Sequence, residues 1–108
     1  MSKTVRQALI DEVHYPIPVG FIENKLIERG LNGGNEYTIE VSRSPEWKGA
    51  LADCLYSLFQ AVSLSESDKS IGTLSDEDKK RLLVRINSLY KSIGEDSVGG
   101  QPMVYIGG

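Results

Sequence analysis

The sequence predicts a mainly α-helical protein: a small bundle of about four helices with one short β element and an extended C-terminal tail. Apolar residues recur at three- and four-residue spacing in four segments, each of which begins or ends at a proline or glycine. The alternation typical of a strand is confined to Tyr37–Val41. We expect residues 1–96 to form a single helical domain and residues 97–108 to form a flexible docking tail.

Size and charge exclude several classes of protein. A chain of 108 residues is one small domain that can bury a modest core without disulfides or a structural metal. The net charge of -3 argues against a dedicated nucleic-acid binder, which normally carries a basic face. A single cysteine excludes an internal disulfide and indicates a cytosolic origin. No apolar run is long enough to span a membrane, so we expect a soluble protein with no membrane partner.

The first two predicted helices form a short helical hairpin. The first runs from about Thr4 to His14 and ends before Tyr15–Pro18, because the residue before a proline is pushed out of the helical conformation. The second runs from about Val19 to Arg29 and ends at Gly30, which can adopt the left-handed conformation that caps a helix. Its predicted apolar stripe consists of Phe21, Ile22, Leu26 and Ile27.

A short β element is predicted between the hairpin and the third helix. Residues 32–35 read Asn-Gly-Gly-Asn, which is a strong loop signal. Tyr37, Ile39 and Val41 then alternate with polar residues, as in a half-buried strand. A lone strand needs a partner for its backbone groups, and the other short candidate is Val104–Ile106.

The third predicted helix is the best specified. Ser44 is a good N-cap, Pro45 suits the first helical position, and Glu46 suits the positive end of the helix dipole. The apolar face that follows is continuous, which places this helix at the centre of the core. That face comprises Trp47, Leu51, Cys54, Leu55, Leu58, Phe59 and Val62.

The fourth predicted helix follows the polar stretch Ser63–Leu74. It begins at Ser75 with three acidic residues in its first turn and ends at Gly94. Its apolar face comprises Leu82, Leu83, Ile86, Leu89, Tyr90 and Ile93. Its basic residues form either a solvated face or a surface that faces a neighbouring protein or passing DNA. These candidate interface residues are Lys79, Lys80, Arg81 and Arg85.

No catalytic residue, metal ligand set or cofactor motif is predicted. His14, the sole histidine, lies at a helix end where the helix dipole favours it. Cys54 lies within an apolar stripe, whereas a reactive thiol needs exposure and positive neighbours. One cysteine and one histidine cannot complete a tetrahedral zinc site, and no phosphate-binding loop is present. We therefore expect a protein that is not an enzyme.

The tail carries a short apolar segment. Four adjacent residues favour strands or interfaces, and Val98-Gly99-Gly100 separates them from the core. An apolar segment of this kind reduces solubility unless it docks. It can pair with Tyr37–Val41 in the same chain, or it can add a strand to a neighbouring protein. The candidate partner-binding residues are Met103, Val104, Tyr105 and Ile106.

The C-terminal third carries two recognisable features. Residues 62–71 are rich in serine and contain acidic residues, and the last helix carries Asn87-Ser88-Leu89-Tyr90 followed by Gly94-Glu95. In these features the sequence resembles the head–tail connector (adaptor) proteins of tailed bacteriophages. The resemblance implies a virion protein, assembled in the cytoplasm of a bacterial host, that forms a homo-oligomeric ring of about a dozen copies. Such a ring lies under the portal, binds portal and tail proteins, and lets DNA pass without binding it specifically.

The alternative is a small regulatory nucleic-acid-binding domain. In that interpretation Phe21–Leu31 contributes to a helix-turn-helix, and the basic fourth helix touches phosphates. A small enzyme is the least supported class, because no convergent polar constellation is visible in the sequence.

Overall fold

The computed structural model describes residues 3–64 and 75–98. Within them the mainly helical class is confirmed. The chain forms α1 (Val5–Val13), α2 (Val19–Glu28), α3 (Ile39–Arg43), α4 (Pro45–Leu64) and α5 (Asp76–Ser92). Helix α4 packs against each of the other four helices, and α1 also packs against α2. The third predicted helix, α4, therefore lies at the centre of the bundle as expected.

Most of the predicted apolar faces are buried. In α1 four apolar residues at three- and four-residue spacing, Val5, Ala8, Leu9 and Val13, are buried. In α4 the buried residues extend beyond the predicted face, because helices surround it on several sides. The buried side chains of α4 and α5 are Trp47, Ala50, Leu51, Ala52, Cys54, Leu55, Leu58, Leu82, Ile86 and Tyr90.

The stripe of α2 is narrower than predicted. Ile22 and Leu26 are buried and Phe21 is half-buried, but Ile27 is 67% exposed. Ile27 lies about 100° further around the helix than Leu26, which turns it away from α1 and α4. The assignment of Ile27 to the core is therefore wrong.

The predicted strand Tyr37–Val41 is also wrong, because α3 begins inside it. The Thr38 hydroxyl accepts a hydrogen bond from the Val41 backbone N–H at 3.2 Å and caps this short helix. Tyr37 and Val41, four residues apart, pack against the core, whereas Ile39 between them is 68% exposed. A strand would place all three on one face. A segment of five alternating residues is compatible with either a strand or a helix, and here the cap by Thr38 favours the helix.

A β-type contact occurs instead at the start of α1. Thr4 and Glu36 form an isolated antiparallel bridge. The Val5 backbone N–H donates to the carbonyl of Asn35 at 2.8 Å, and the Tyr37 N–H donates to that of Lys3 at 2.9 Å. Since residues 39–41 are helical, the predicted pairing of Val104–Ile106 with Tyr37–Val41 loses its partner strand. Residues 99–108 themselves lie outside the described part of the chain.

The predicted helix ends are confirmed. Gly30 and Gly94 have φ angles of 86° and 81°, the left-handed conformation that ends a helix at low cost. His14 caps α1 in the same conformation, with φ 64°, and its backbone N–H donates to the carbonyl of Ile10. Ser75 caps α5, because its hydroxyl accepts from the Asp78 N–H at 3.0 Å. Among the described residues, no helix is both long and apolar enough to cross a membrane.

Candidate functional site

A cluster of charged side chains joins α2, α4 and the end of α5. Arg29, the C-cap residue of α2, lies between Asp53 on α4 and Glu95 after α5. Its Nε and Nη2 donate to the Asp53 carboxylate at 2.9 and 3.0 Å, and its Nη1 and Nη2 donate to Glu95 at 2.5 and 3.1 Å. Both pairings are bidentate, which suits the planar guanidinium fork.

Tyr90 completes this cluster, which we call the Arg29 clamp (Arg29, Asp53, Tyr90 and Glu95). The Tyr90 hydroxyl donates to Asp53 Oδ1 at 2.6 Å. The Arg29 and Asp53 side chains are only 21% and 17% exposed, while Glu95 is 42% exposed. Charge-assisted hydrogen bonds are stronger in such a partly buried place than on an open surface. The clamp therefore links three segments that are far apart in sequence.

Both proton donors of the clamp keep their protons at neutral pH. Hydrogen bonds to Asp53 and then to Glu95 raise the pKa of Arg29 above its ordinary value. Burial, followed by the hydrogen bond to Asp53, raises the pKa of the Tyr90 hydroxyl. Neither donor is lost as the pH varies around neutrality, so the hydrogen bonds to Asp53 persist there.

Gly49 makes room for the clamp. A Cβ atom built at Gly49 would lie 2.6 Å from the Cζ of Arg29, far closer than van der Waals contact allows. Gly20, near the start of α2, has nothing within 4 Å of the corresponding position. A side chain at position 49, in the first turns of α4, would therefore have to displace the guanidinium of Arg29 from its place in the clamp.

The two glycines give opposite predictions for substitution by alanine. We expect Gly49→Ala to displace Arg29 and lower the free energy of unfolding by about 1–3 kcal/mol, the range for an overpacked site. Gly20→Ala, the matched control, is expected to raise it by about 0.4–1 kcal/mol, because it restricts the unfolded chain without a clash. Urea unfolding of both variants measures these changes. Stabilisation by Gly49→Ala would contradict the tight fit.

After α5 the chain turns back along the same helix. Gly94 adopts the left-handed conformation, and the Glu95 N–H donates to the Tyr90 carbonyl at 2.8 Å. The Asn87 side chain then makes two hydrogen bonds to the backbone of Val98. Its Oδ1 accepts from the Val98 N–H at 2.8 Å, and its Nδ2 donates to the Val98 carbonyl at 3.3 Å. We call residues 95–98 the return segment. It is held at both ends, by Arg29 and by Asn87.

The basic residues predicted on the last helix lie among carboxylates. Arg81 pairs with Glu77 and Asp78 at 3.7 and 3.3 Å. Arg85 Nη2 donates to Glu12 of α1 at 3.0 Å. Lys79 is half-buried and Lys80 is exposed. Two of the four basic residues, Arg81 and Arg85, are thus paired with carboxylates.

In the described part of the chain, surface grooves also lie outside the clamp. The first, here called the α5 groove, has a volume of about 470 Å³. It is lined by Lys80, Leu83, Val84, Asn87, Ser88, Lys91 and Ser97. The second, the hairpin groove, has a volume of about 460 Å³ and no charged side chain in its lining. It is lined by Pro16, Ile17, Pro18, Phe21, Ser57, Leu58 and Ala61.

The described residues contain no group of three or more side chains that could hold a metal ion. Cys54 is fully buried, and burial, with the charge of Asp53, raises the pKa of its thiol to about 12. We expect its alkylation at pH 8 to be at least roughly 100-fold slower in the folded protein than in denaturant. An added Ile39→Cys thiol, at a 68% exposed position, serves as the reactive control.

The raised pKa of the Cys54 thiol also determines how the free energy of unfolding changes at alkaline pH. The unfolded thiol ionises near pH 8.5, whereas the folded thiol stays protonated to about pH 12. Between these values the unfolded state has lost the proton first, so stability falls as the pH rises. Rapid alkylation of Cys54 under native conditions would contradict this account.

Sequence reasoning missed Arg29 and Asp53. The sequence places Arg29 at the end of a helix and predicts no role for Asp53. The available signal was the position of Asp53, a carboxylate set between Ala52 and Cys54 in an otherwise apolar helix. Both neighbours are fully buried, and a half-buried acid beside them needs a partner.

Comparisons with known proteins yield one match. The family DUF6706, described as a family of unknown function, matches residues 3–106. No curated protein and no solved structure matches the chain. The matched range includes the whole Arg29 clamp, the return segment and the apolar residues of the tail. Because the match covers nearly the full chain, the protein belongs to DUF6706, a family of unknown function.

Proposed function

We propose that this protein is a structural assembly protein, similar to the head–tail connectors of tailed phages, whose copies close into a ring. The observation that carries the proposal is the anchored return segment. Arg29 and Asn87 hold residues 95–98 against the bundle, so the tail that follows starts from a defined point. A docking arm with a fixed origin can reach the same site on each neighbour, which a closed ring requires.

The residues that carry the connector resemblance build this anchor. Asn87 binds Val98, Gly94 reverses the chain, and the Tyr90 carbonyl accepts from the Glu95 N–H. Glu95 then binds Arg29. In this chain the residues of the short sequence pattern thus hold the return segment against the bundle. The pattern therefore coincides with the part of the chain from which the proposed docking arm starts.

The charge distribution favours assembly over nucleic-acid binding. A nucleic-acid interface needs several basic side chains that are available to phosphates. Here Arg81 and Arg85 pair with Glu77, Asp78 and Glu12, and the whole chain carries a net charge of -3. In a ring, such a surface would let DNA slide past rather than bind it.

Replacing the apolar residues of the tail tests the proposal. We expect serine at positions 103–106 (Met103→Ser, Val104→Ser, Tyr105→Ser, Ile106→Ser) to abolish the oligomer, because docking depends on these side chains. The melting temperature should change by no more than about 4 °C, equivalent to about 1 kcal/mol. Light scattering and thermal unfolding measure the two effects.

A matched control changes the tail without removing its apolar residues. Gln101→Ser with Pro102→Ser should leave the oligomer intact. A loss of melting temperature well beyond about 4 °C in the serine variant, with the mass unchanged, would show that residues 103–106 complete the fold instead.

A further inference from the structure

The return segment runs toward an open groove on its own helix. It leaves α5 at Gly94, passes Ser97 and reaches Asn87, so it runs antiparallel to the helix. Ser97 lines one end of the α5 groove, and Lys80 lies at the other end. The next residues of the chain therefore start beside this groove.

The tail is long enough to fill the groove. From Asn87 to Lys80 the helix advances about 10.5 Å. From Val98 to Met103 an extended chain spans up to about 17 Å. Met103–Ile106 can therefore lie anywhere along the groove without a change in the return segment.

The groove also suits the chemistry of the tail. Val84 lines it and is 65% exposed, and within the described residues nothing covers it. Leu83 lines it as well, and Lys80 and Lys91 provide aliphatic stems that can cover an apolar segment. Residues 99–108 contain no charged side chain, so docking buries no unpaired charge. Because only a short tether joins Met103–Ile106 to Val98, their effective concentration at the groove is in the millimolar range, and a weak contact is populated at that concentration.

We propose that in the unassembled chain Met103–Ile106 lie in the α5 groove of the same chain. The docking arm is then stored on its own helix and exchanges onto a neighbouring protein during assembly. This inference goes beyond the proposed function, because the contact would exist in a chain that never assembles.

A pair of cysteines tests the stored position. The double variant Val84→Cys with Val104→Cys is oxidised in a glutathione buffer, at a concentration where light scattering gives the monomer mass. The control is Ile27→Cys with Val104→Cys, since Ile27 is 67% exposed and Val84 is 65% exposed. Ile27 lies two residues from Arg29, near the anchor of the tail, so the control reports chance encounters through the tether. Buried Cys54 stays outside the exchange.

We expect the Val84–Val104 pair to form an intramolecular disulfide with an effective concentration at least roughly ten times that of the control pair. Equal values for the two pairs would overturn the stored position. Disulfide-linked dimers of the first pair would also overturn it, since they place the tail on another copy. As a readout without added cysteines, truncation after Val98 should shift the amide resonances of residues 80–91. Unchanged resonances would count against the contact, whatever the oligomeric state of the full chain.

Discussion

Replacing Arg29 with methionine is expected to lower the free energy of unfolding by about 2–3 kcal/mol. Methionine keeps much of the side-chain volume but leaves the Asp53 carboxylate, 17% exposed, with Tyr90 as its remaining side-chain donor. Breaking a fully buried ion pair costs about 3–5 kcal/mol, and the partial exposure of this pair places the expected loss below that range. Urea unfolding at neutral pH measures it.

Two further variants separate the clamp from a general charge effect. Arg81→Met removes an arginine that is 73% exposed and that, among the residues the structure describes, pairs with neighbours on its own helix, so we expect a loss below about 0.5 kcal/mol. Adding Asp53→Asn to Arg29→Met should recover part of the loss. The unpaired charge is then gone, while the amide oxygen can still accept from Tyr90. Equal losses in Arg29→Met and Arg81→Met would contradict the role of the clamp.

The clamp also predicts a local effect at the C-terminal segment. In Arg29→Met, the Glu95 carboxylate loses its partner, so the return segment keeps the hydrogen bond from the Glu95 N–H to the Tyr90 carbonyl, the contacts of Asn87 and the packing of Val98. We expect the Val98 amide proton to exchange faster relative to the core amides. Unchanged relative protection of Val98 would show that Asn87 alone fixes the segment.

The second large effect is expected at the centre of α4. Leu55 is fully buried, near the middle of the helix that contacts all four others. Leu55→Ala should lower the free energy of unfolding by about 2–5 kcal/mol, because it removes apolar burial and leaves a cavity. Ile27→Ala, at a 67% exposed position outside the α5 groove, should change it by less than about 0.5 kcal/mol. A loss under about 1 kcal/mol for Leu55→Ala would show that α4 is not the core of the fold.

The elements that local chemistry specifies were predictable from the sequence. Ser44, Ser75, Gly30 and Gly94 act within a few residues of their own positions, and each sets a helix end where it was expected. The predicted strand at Tyr37–Val41 is wrong, although the interaction that decides against it, the cap by Thr38, is also local. In the sequence, the alternation of five residues is a stronger signal than a single capping threonine. A short segment can match both the period of a strand and the period of a helix, so periodicity alone does not distinguish the two.

The candidate site was less predictable, because its parts meet only in the folded chain. Arg29 and Glu95 are 66 residues apart, and Arg29 and Asp53 are 24 apart. No spacing rule connects such positions. The sequence pattern around Asn87 and Glu95 lies in this region, but it does not indicate that Arg29 is the partner of Glu95.

The measurement that tests the assembly proposal most directly is the solution mass of the full chain, by light scattering after size exclusion, across a concentration series. The account predicts a discrete species of roughly ten or more copies, since heterologous contacts that close produce one defined ring. A monomer at every concentration would contradict it. A stable dimer would also contradict it and would favour the regulatory nucleic-acid-binding domain instead.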